Sequence, residues 1–587
     1  MPHIHSPFKK EKNAFENTST TDAKGFYQLL PENAKKQLDK SAHVFQYMQA
    51  IPAGIGTPKF YTELSRSMKS IKHPNLIYPI NDATSIHICA DKEDARAHYI
   101  PIEPNIFKNY DPLIEKVERE ISKIVNRYDS PENDSEKREN LINCITDVCK
   151  LTDAKENENN SFIETVSKFF KHSLSNIFGS NGVKKISVNS TEFEALKYLM
   201  IRDKVGLGVL EPLICDPNIE DISCAGINDL FVEHKIFESL KTPIKYNDME
   251  DLNDHVIKLS EKIGKPLSFR TPILDATLPD GSRVNIVYGE DISKKGSNYT
   301  IRKFSGTPIS VLQLIEFGTM DYLMAAYIWI CLREGMNCFI SGETASGKTT
   351  TMNAITTFIP PMAKIVSIED TPELQVPHTN WLREVTRGSG KEGEGSGVEM
   401  FDLLKAALRQ RPNEIIVGEI RGAEGNIVFQ GMQTGHPAMA TFHASSVEKL
   451  VQRLTGDPIS VPKTYVDNLN FVILQNAVRG PDGKMKRRIT GISEIIGYDA
   501  VSQSFSFIEA FKWDPASDTF AFLGNNNSYV LERKIAPMKG IPSNKVRKIY
   551  KEVEKRARVL KKIHKSGVIG FYELFAVLSK MENENIF

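Results

Sequence analysis

Residues 342–349 read GETASGKT, and the reading of the whole chain turns on them. The stretch fits G-x-x-x-x-G-K-[ST]. The apolar run Asn337–Ile340 leads into it, and the helix-forming run Thr349–Phe358 leads out. A strand, a glycine turn and a helix N-terminus in that order aim backbone N–H groups at a polyphosphate. Gly342 and Gly347 stand where a Cβ would obstruct the turn or the anion. Glu343, Thr344, Ala345 and Ser346 complete the cradle. Lys348 brings a cation to the β- and γ-phosphates, and the Thr349 hydroxyl, followed by Thr350, is placed for Mg2+. The pattern implies ATP and Mg2+ as ligands.

Three more β-type runs follow, Lys364–Ile368, Glu414–Gly418 and Ala438–Phe442, separated by helical segments. That alternation predicts a parallel sheet covered on both faces, with its ligand at the carboxyl ends of the strands. Each run ends in polar residues: Glu369, Asp370 and Glu373 after the second, Glu419 and Arg421 after the third, His443 after the fourth, with His436 just upstream. A carboxylate at such a position can hold a magnesium-bound water or polarise the attacking one. The segment HPAMATFH has no cysteine or acid at metal-ligand spacing, so a zinc site is rejected. Between the second and third runs, GSGKEGEGSG (388–397) is too glycine-rich for a helix and reads as a surface loop.

Working outward, 587 residues predict roughly three to four domains. Lys plus Arg equals Asp plus Glu at 74 each, so the surface as a whole is no nucleic-acid or anionic-membrane binder, although a local basic groove is allowed. The seven cysteines form no C-x-x-C pair and read as buried thiols in a reducing compartment. The frayed start, residues 1–24, lacks the apolar core of a secretory signal. The longest greasy run, Tyr322–Leu332, is about half the length a membrane span needs and reads as a core helix. Asn75–Ile80 and Ser85–Ala90 read as strands, Pro112–Val125 as an amphipathic helix, and Leu151–Asn160 as a solvated linker. A unit over 186–305 opens with helix, turn and strands. Past residue 500 come a hairpin-like stretch, Ser506–Pro515, and a basic helix, Asn544–Gly567.

Four segments in fixed order carry a family resemblance: GETASGKTTTMNAI, KIVSIEDTPELQVPH, LLKAALRQRPNEIIVGEIRG and MQTGHPAMATFHASSVEKLVQRL. They resemble the Walker A, Asp box, Walker B and His box of the type II/type IV secretion ATPases, the hexameric motors of type II secretion, type IV pili and archaella, and the archaeal branch most closely. The resemblance covers about 186–587 well and extends weakly to Ile77–Pro104. It implies an α/β fold: a RecA-like P-loop ATPase domain (316–500), a smaller α+β amino-terminal domain (186–305), a linker (306–315), a helical carboxyl-terminal extension (501–587) and a variable region with a charged linker (1–185). It implies Glu369 or Glu419 as the catalytic or magnesium-water carboxylate, with Glu369 favoured as base and Glu419 as the Walker B acid and metal ligand with Thr349. It further implies that Arg270, Arg283 and Arg302 reach a nucleotide, with His436 and His443 beside the chemistry. Bacterial type II secretion and pilus-assembly members commonly carry a tetracysteine zinc insert after the His box, which this sequence lacks, as fits the archaeal or retraction-type branches.

By the same resemblance the chain is a cytoplasmic, Mg2+-dependent ATPase. It assembles as a homohexamer, works against a polytopic membrane platform protein and associates with the membrane through that partner. The rival is a nucleic-acid translocase, supported only by the basic patches Lys484–Arg488 and Lys555–Lys565. A hairpin tip and a solvated helix face explain those more simply, so no stable nucleic-acid binding is expected.

Overall fold

The computed structural model describes residues 3–4, 35, 41–52, 54–90, 96–152, 184–227, 230–304, 306–387, 397–481 and 483–584. The stretch at 388–396 lies outside them, as do most of residues 1–24 and the part of the expected linker from 153 to 160. The chain divides into two units, Met1–Phe304 and Ser305–Phe587.

In the first unit, alternation of apolar and polar residues builds a sheet. Among the described residues its strands are β1 (Lys59–Phe60), β2 (Asn75–Pro79), β3 (Ser85–Cys89), β4 (His98–Ile102), β5 (Ile219–Cys224), β6 (Leu230–His234), β7 (Glu238–Lys241), β8 (Ile273–Thr277), β9 (Arg283–Val287) and β10 (Asn298–Arg302). They lie in the order β8-β9-β10-β5-β6-β7-β4-β3-β2-β1. Along β8 to β10 every second side chain is buried, so Leu274, Val284, Ile286 and Ile301 join the core with Leu252, Val256 and Leu259 of α4 (Met249–Lys262). Asp275, Arg283 and Arg302 are left exposed. A smaller core joins α1 (Asp111–Ile121), α2 (Asp134–Val148) and α3 (Ser190–Lys204), the last started by a capping box between Asn189 and Glu192.

Strands β1 to β4 come from the segment read as a separate amino-terminal region, yet they continue the sheet of the following one. β4 pairs with β7 at His98 and Lys241, and Tyr78 and Tyr99 both donate to Asp216, at 2.5 and 2.9 Å. The join covers only the end of the β7 edge, where Lys241 N–H donates to Ala97 O.

In the second unit, β11 (Cys338–Ser341), β12 (Ile365–Glu369), β13 (Trp381–Val385), β14 (Glu414–Val417), β15 (Ala438–Phe442) and β16 (Phe471–Arg479) are parallel. β17 (Met485–Asp499), β18 (Ser504–Asp514) and β19 (Thr519–Phe522) continue the sheet antiparallel, in the order β13-β12-β14-β15-β11-β16-β17-β18-β19. The central strands are buried on both faces, as parallel strands require. Ile340, Ile365 and Ile416 face a core with α5 (Tyr322–Arg333), α6 (Lys348–Ile355), α10 (Lys548–Lys565) and α11 (Phe571–Asn583). Phe339, Val366, Ile415 and Val417 face the other core with α7 (Met400–Ala407), α8 (Glu424–Gln433) and α9 (Val447–Thr455).

The greasy run at 322–332 is α5, buried almost all round. Among the described residues no helix is long and apolar enough to cross a membrane. Two segments differ from the expected division. The expected linker, 306–315, contains the start of a buried helix, Val311–Glu316, capped by Ser310. Residue 500 is no boundary, because β18 and β19 extend the same sheet.

Candidate active site

β11, β12, β14 and β15 run in one direction, so their carboxyl ends share one edge of the sheet, where parallel α/β sheets hold ligands. Register sets Ser341 beside Phe442 and Ile368 beside Val417. From the end of β11 the chain turns through Ala345 (φ 60°) and Gly347 (φ 93°) into α6. At Gly342 a Cβ would stand 1.9 Å from the Gln475 carbonyl oxygen, a collision with backbone that only glycine avoids. Glu343, Thr344 and Ala345 form the exposed tip, Ser346 and Lys348 are buried, and Thr349 and Thr350 are half-buried on the first turn of α6.

Lys348 folds back on its own loop. Its Nζ donates to Gly342 O at 3.0 Å and Glu343 O at 2.9 Å, and lies 3.4 Å from His443 Nδ1. His443 Nε2 in turn lies 2.7 Å from Glu419 Oε1, and Arg421 donates to Glu419 Oε2 at 2.6 Å. The tips of three strands are thus linked through side chains. Burial pulls the Lys348 amine below its ordinary value, partly opposed by Glu419, and burial with Lys348 pulls His443 down as well. Neutral His443 therefore faces the Lys348 amine with Nδ1 and the Glu419 carboxylate with Nε2.

Glu369 is placed differently. It is 2% exposed, and its Oε1 accepts from the backbone N–H groups of Glu373 and Leu374 at 2.9 and 2.8 Å. Its Oε2 has no hydrogen-bond partner among the described residues, with Arg383 Nε at 3.6 Å. Burial pushes this carboxyl up to about 7 against the pull of the two N–H groups and Arg383. Gly418, at the tip of β14, passes over it, a Cβ there falling 3.2 Å from Glu369 Cγ.

The site fits a polyphosphate on its own evidence. Gly342 and Gly347 let the loop pack against Gln475 and Arg487, where a Cβ would collide, and the first-turn N–H groups of α6 have no partners within the helix. The hydroxyls of Ser346 and Thr351 are buried with no hydrogen-bond partner among the described residues. The expected position of His436 is corrected. It precedes β15 while His443 follows it, so five residues of strand, roughly 16 Å, separate them, and His436 sits at the opposite edge beside Thr434. Arg283 and Arg302 are cross-strand partners on the exposed face of the first unit, where Arg283 pairs with Asp275 at 2.6 Å. Arg270 lies before β8, at the far end of the β8–β9 ladder from Arg283.

Three contributors carry no motif. Gln475 of β16 donates through Nε2 to Ser346 O at 3.0 Å, Arg487 of β17 donates through Nε to Ala345 O at 3.2 Å, and Arg383 of β13 faces Glu369. The first two come from 129 and 142 residues away in sequence, where no local pattern could announce them. They also settle the patch Lys484–Arg488: Arg487 holds the loop, while Arg488 and Lys486 bind Asp518. In the second patch, Arg556 is buried over Trp329.

Comparison with known proteins decides what kind of machine carries this site. A model of the family "Type II/IV secretion system protein" matches residues 203–506. The chain belongs to that family of secretion ATPases. The uncharacterized protein MJ0900 of the archaeon Methanocaldococcus jannaschii is 43% identical to this secretion ATPase over 542 residues, 92% of this chain and 95% of its own. The type IV secretion system protein VirB11 of Bartonella henselae is 30% identical over 255 residues, 37% of this chain and 70% of its own. The type IV secretion system protein PtlH of Bordetella pertussis is 33% identical over 210 residues, 31% of this chain and 60% of its own.

Proposed function

We propose that this secretion ATPase is a Mg2+-dependent, homohexameric motor that drives assembly of a type IV pilus-like, archaellum or type II secretion-like filament. It acts from the cytoplasm on a polytopic membrane platform protein and reaches the membrane through that partner. The observation that carries the reading is the contact chain from Lys348 through His443 to Glu419 at the mouth of the glycine loop. In it, Lys348 binds the β- and γ-phosphates, and His443, with Nε2 2.7 Å from Glu419 Oε1, keeps that carboxylate in place. Glu369, its carboxyl near neutrality, takes the proton of the attacking water, because a base works best with a pKa near the working pH.

The donors suit magnesium, which prefers one or two carboxylate or hydroxyl oxygens together with phosphates and water. Thr349 and Glu419, both partly accessible, would hold it. When bound, it neutralises charge developing on the phosphate oxygens. Arg283 and Arg302, adjacent on an exposed face, serve a nucleotide on a neighbouring subunit, where an arginine steadies transition-state charge and links cleavage to domain movement.

Steady-state hydrolysis by the native protein and by Lys348→Ala tests the core of this reading. The substitution should remove turnover. Activity that survives it overturns the assignment of the loop.

A further inference from the structure

The glycine loop is held from outside by two side chains of the antiparallel end of the sheet, and their placement has a use beyond support. Four successive features converge there. The backbone of Ala345 sits at φ 60°, a left-handed conformation that costs a non-glycine residue about 1 kcal/mol and needs something to hold it. The carbonyl of that residue accepts from Arg487 Nε, and the next carbonyl, of Ser346, accepts from Gln475 Nε2. Gln475 stands at an irregularity in the β16–β17 ladder, where the pairing passes from Leu474–Gly491 to Gln475–Ile489 and leaves Thr490 of β17 as the extra residue. Arg487 springs from a fixed point, since it pairs with Ala477 across the ladder and its neighbour Arg488 is clamped by Asp518 at 2.8 and 2.9 Å.

In a trans peptide the C=O and the following N–H point in opposite directions. Holding the oxygens of Ala345 and Ser346 on the outside of the loop therefore turns the N–H groups of Ser346 and Gly347 towards its inside, where an anion would sit. The carbonyls of Gly342 and Glu343 are held by Lys348, and Glu343 O also accepts from Ser346 N–H at 3.4 Å, a long bond that an anion would replace. Resting on the nucleotide reading given above, we propose that Gln475 and Arg487 are positioning residues that preset the phosphate-binding N–H groups of the loop, Arg487 acting on a carbonyl and not on a phosphate.

The two roles predict different selectivity. A residue that shapes the loop favours every ligand carrying a diphosphate by the same factor. A residue that touches the γ-phosphate favours ATP over ADP. Arg487 is exposed, so Arg487→Ala should leave the fold and its melting temperature intact. Binding of ADP and of inorganic pyrophosphate, measured by calorimetry, should each weaken roughly tenfold, as expected for one lost charge-assisted hydrogen bond. KM for ATP should rise by a similar factor with kcat within about twofold, and Arg487→Lys, which keeps a donor, should recover most of the loss. Gln475→Met, which keeps the volume and removes the donor, should weaken the same three ligands.

Unchanged binding in Arg487→Ala overturns the proposal. So does a loss confined to ATP, or a fall in kcat with KM unchanged, either of which would make Arg487 a phosphate-contacting group. If the native protein binds neither ADP nor pyrophosphate, the nucleotide reading itself fails and this inference falls with it. If the native protein binds both and the variants bind equally well, only the positioning role fails.

Discussion

A carboxyl that is almost wholly buried at the end of an apolar strand resists ionisation, and Glu369 shows the consequence in its pKa of about 7 against an ordinary 4.5. Between those two values folding takes up a proton, so this residue's contribution to stability falls as pH rises through the window. At pH 8 the ionised form costs about 3 kcal/mol. Glu369→Gln should therefore melt higher than the native protein at pH 8, with the gap closing near pH 5; thermal unfolding at both values checks the sign. Arg383 acts against that burial from 3.6 Å. Since it is one-third exposed, its pull is discounted, and Arg383→Ala should move the alkaline-rising limb of the pH–rate profile up by roughly half to one unit. Residue types in the glycine loop were legible without coordinates because each has a chemical task fixed by spacing. The histidines were not separable that way: His436 and His443 are neighbours in sequence, but an extended strand between them carries one to the site and the other away from it.

Elements were readable where apolar runs were bounded by glycine or acid, as at β11, β12, β14 and β15. β13 escaped that test. Its sequence, WLREV, sits at the sheet edge with exposed Leu382 and Arg383, and what fixes it is tertiary: pairing with β12 and a bond from Trp381 Nε1 to Ser367 Oγ at 2.8 Å. The same holds for the hairpin of β16 and β17, whose contribution to the loop lies in two long-range contacts. That end of the sheet depends on Asp518, whose carboxylate is held well below its usual range by Arg488, with Trp513 and Lys486 adding bonds. Arg488 is 5% exposed, so removing Asp518 leaves a buried cation with two backbone carbonyls and no acid at hand. Asp518→Ala should lower stability at pH 7 by about 3 kcal/mol, and because the pairing requires an ionised acid, the difference should shrink as pH falls below about 4. Urea unfolding across that range measures it. A loss of less than 1 kcal/mol at pH 7 would show the clamp to be ornamental.

For the whole molecule, the sharpest consequence of the proposed ring is that one subunit finishes another's site. Arg283→Ala should cut turnover more than tenfold while ADP affinity stays within about twofold, the pattern of an interaction made only in the transition state. Mixed with Lys348→Ala, which retains its arginines, the variant should regain activity, since some interfaces would pair an intact loop with an intact arginine. A change confined to affinity, or mixtures no better than their components, would remove Arg283 from the chemistry. The joining of β1–β4 to the sheet of the following segment was not legible, because it rests on the single-pair join of His98 to Lys241 and on side chains such as Tyr78 that reach Asp216 across 138 residues.

The carboxyl-terminal helices α10 and α11 have a consequence for biosynthesis. Leu560, Leu574 and Leu578 fill the same core as Val311 and Ile340 of the second unit, and Ser310 Oγ bonds to Ile569 O. That interior cannot be completed before Leu578 has been synthesised. The earlier unit contains its own interiors and can consolidate while translation continues, but the second unit remains an unfinished shell until α10 and α11 have been made.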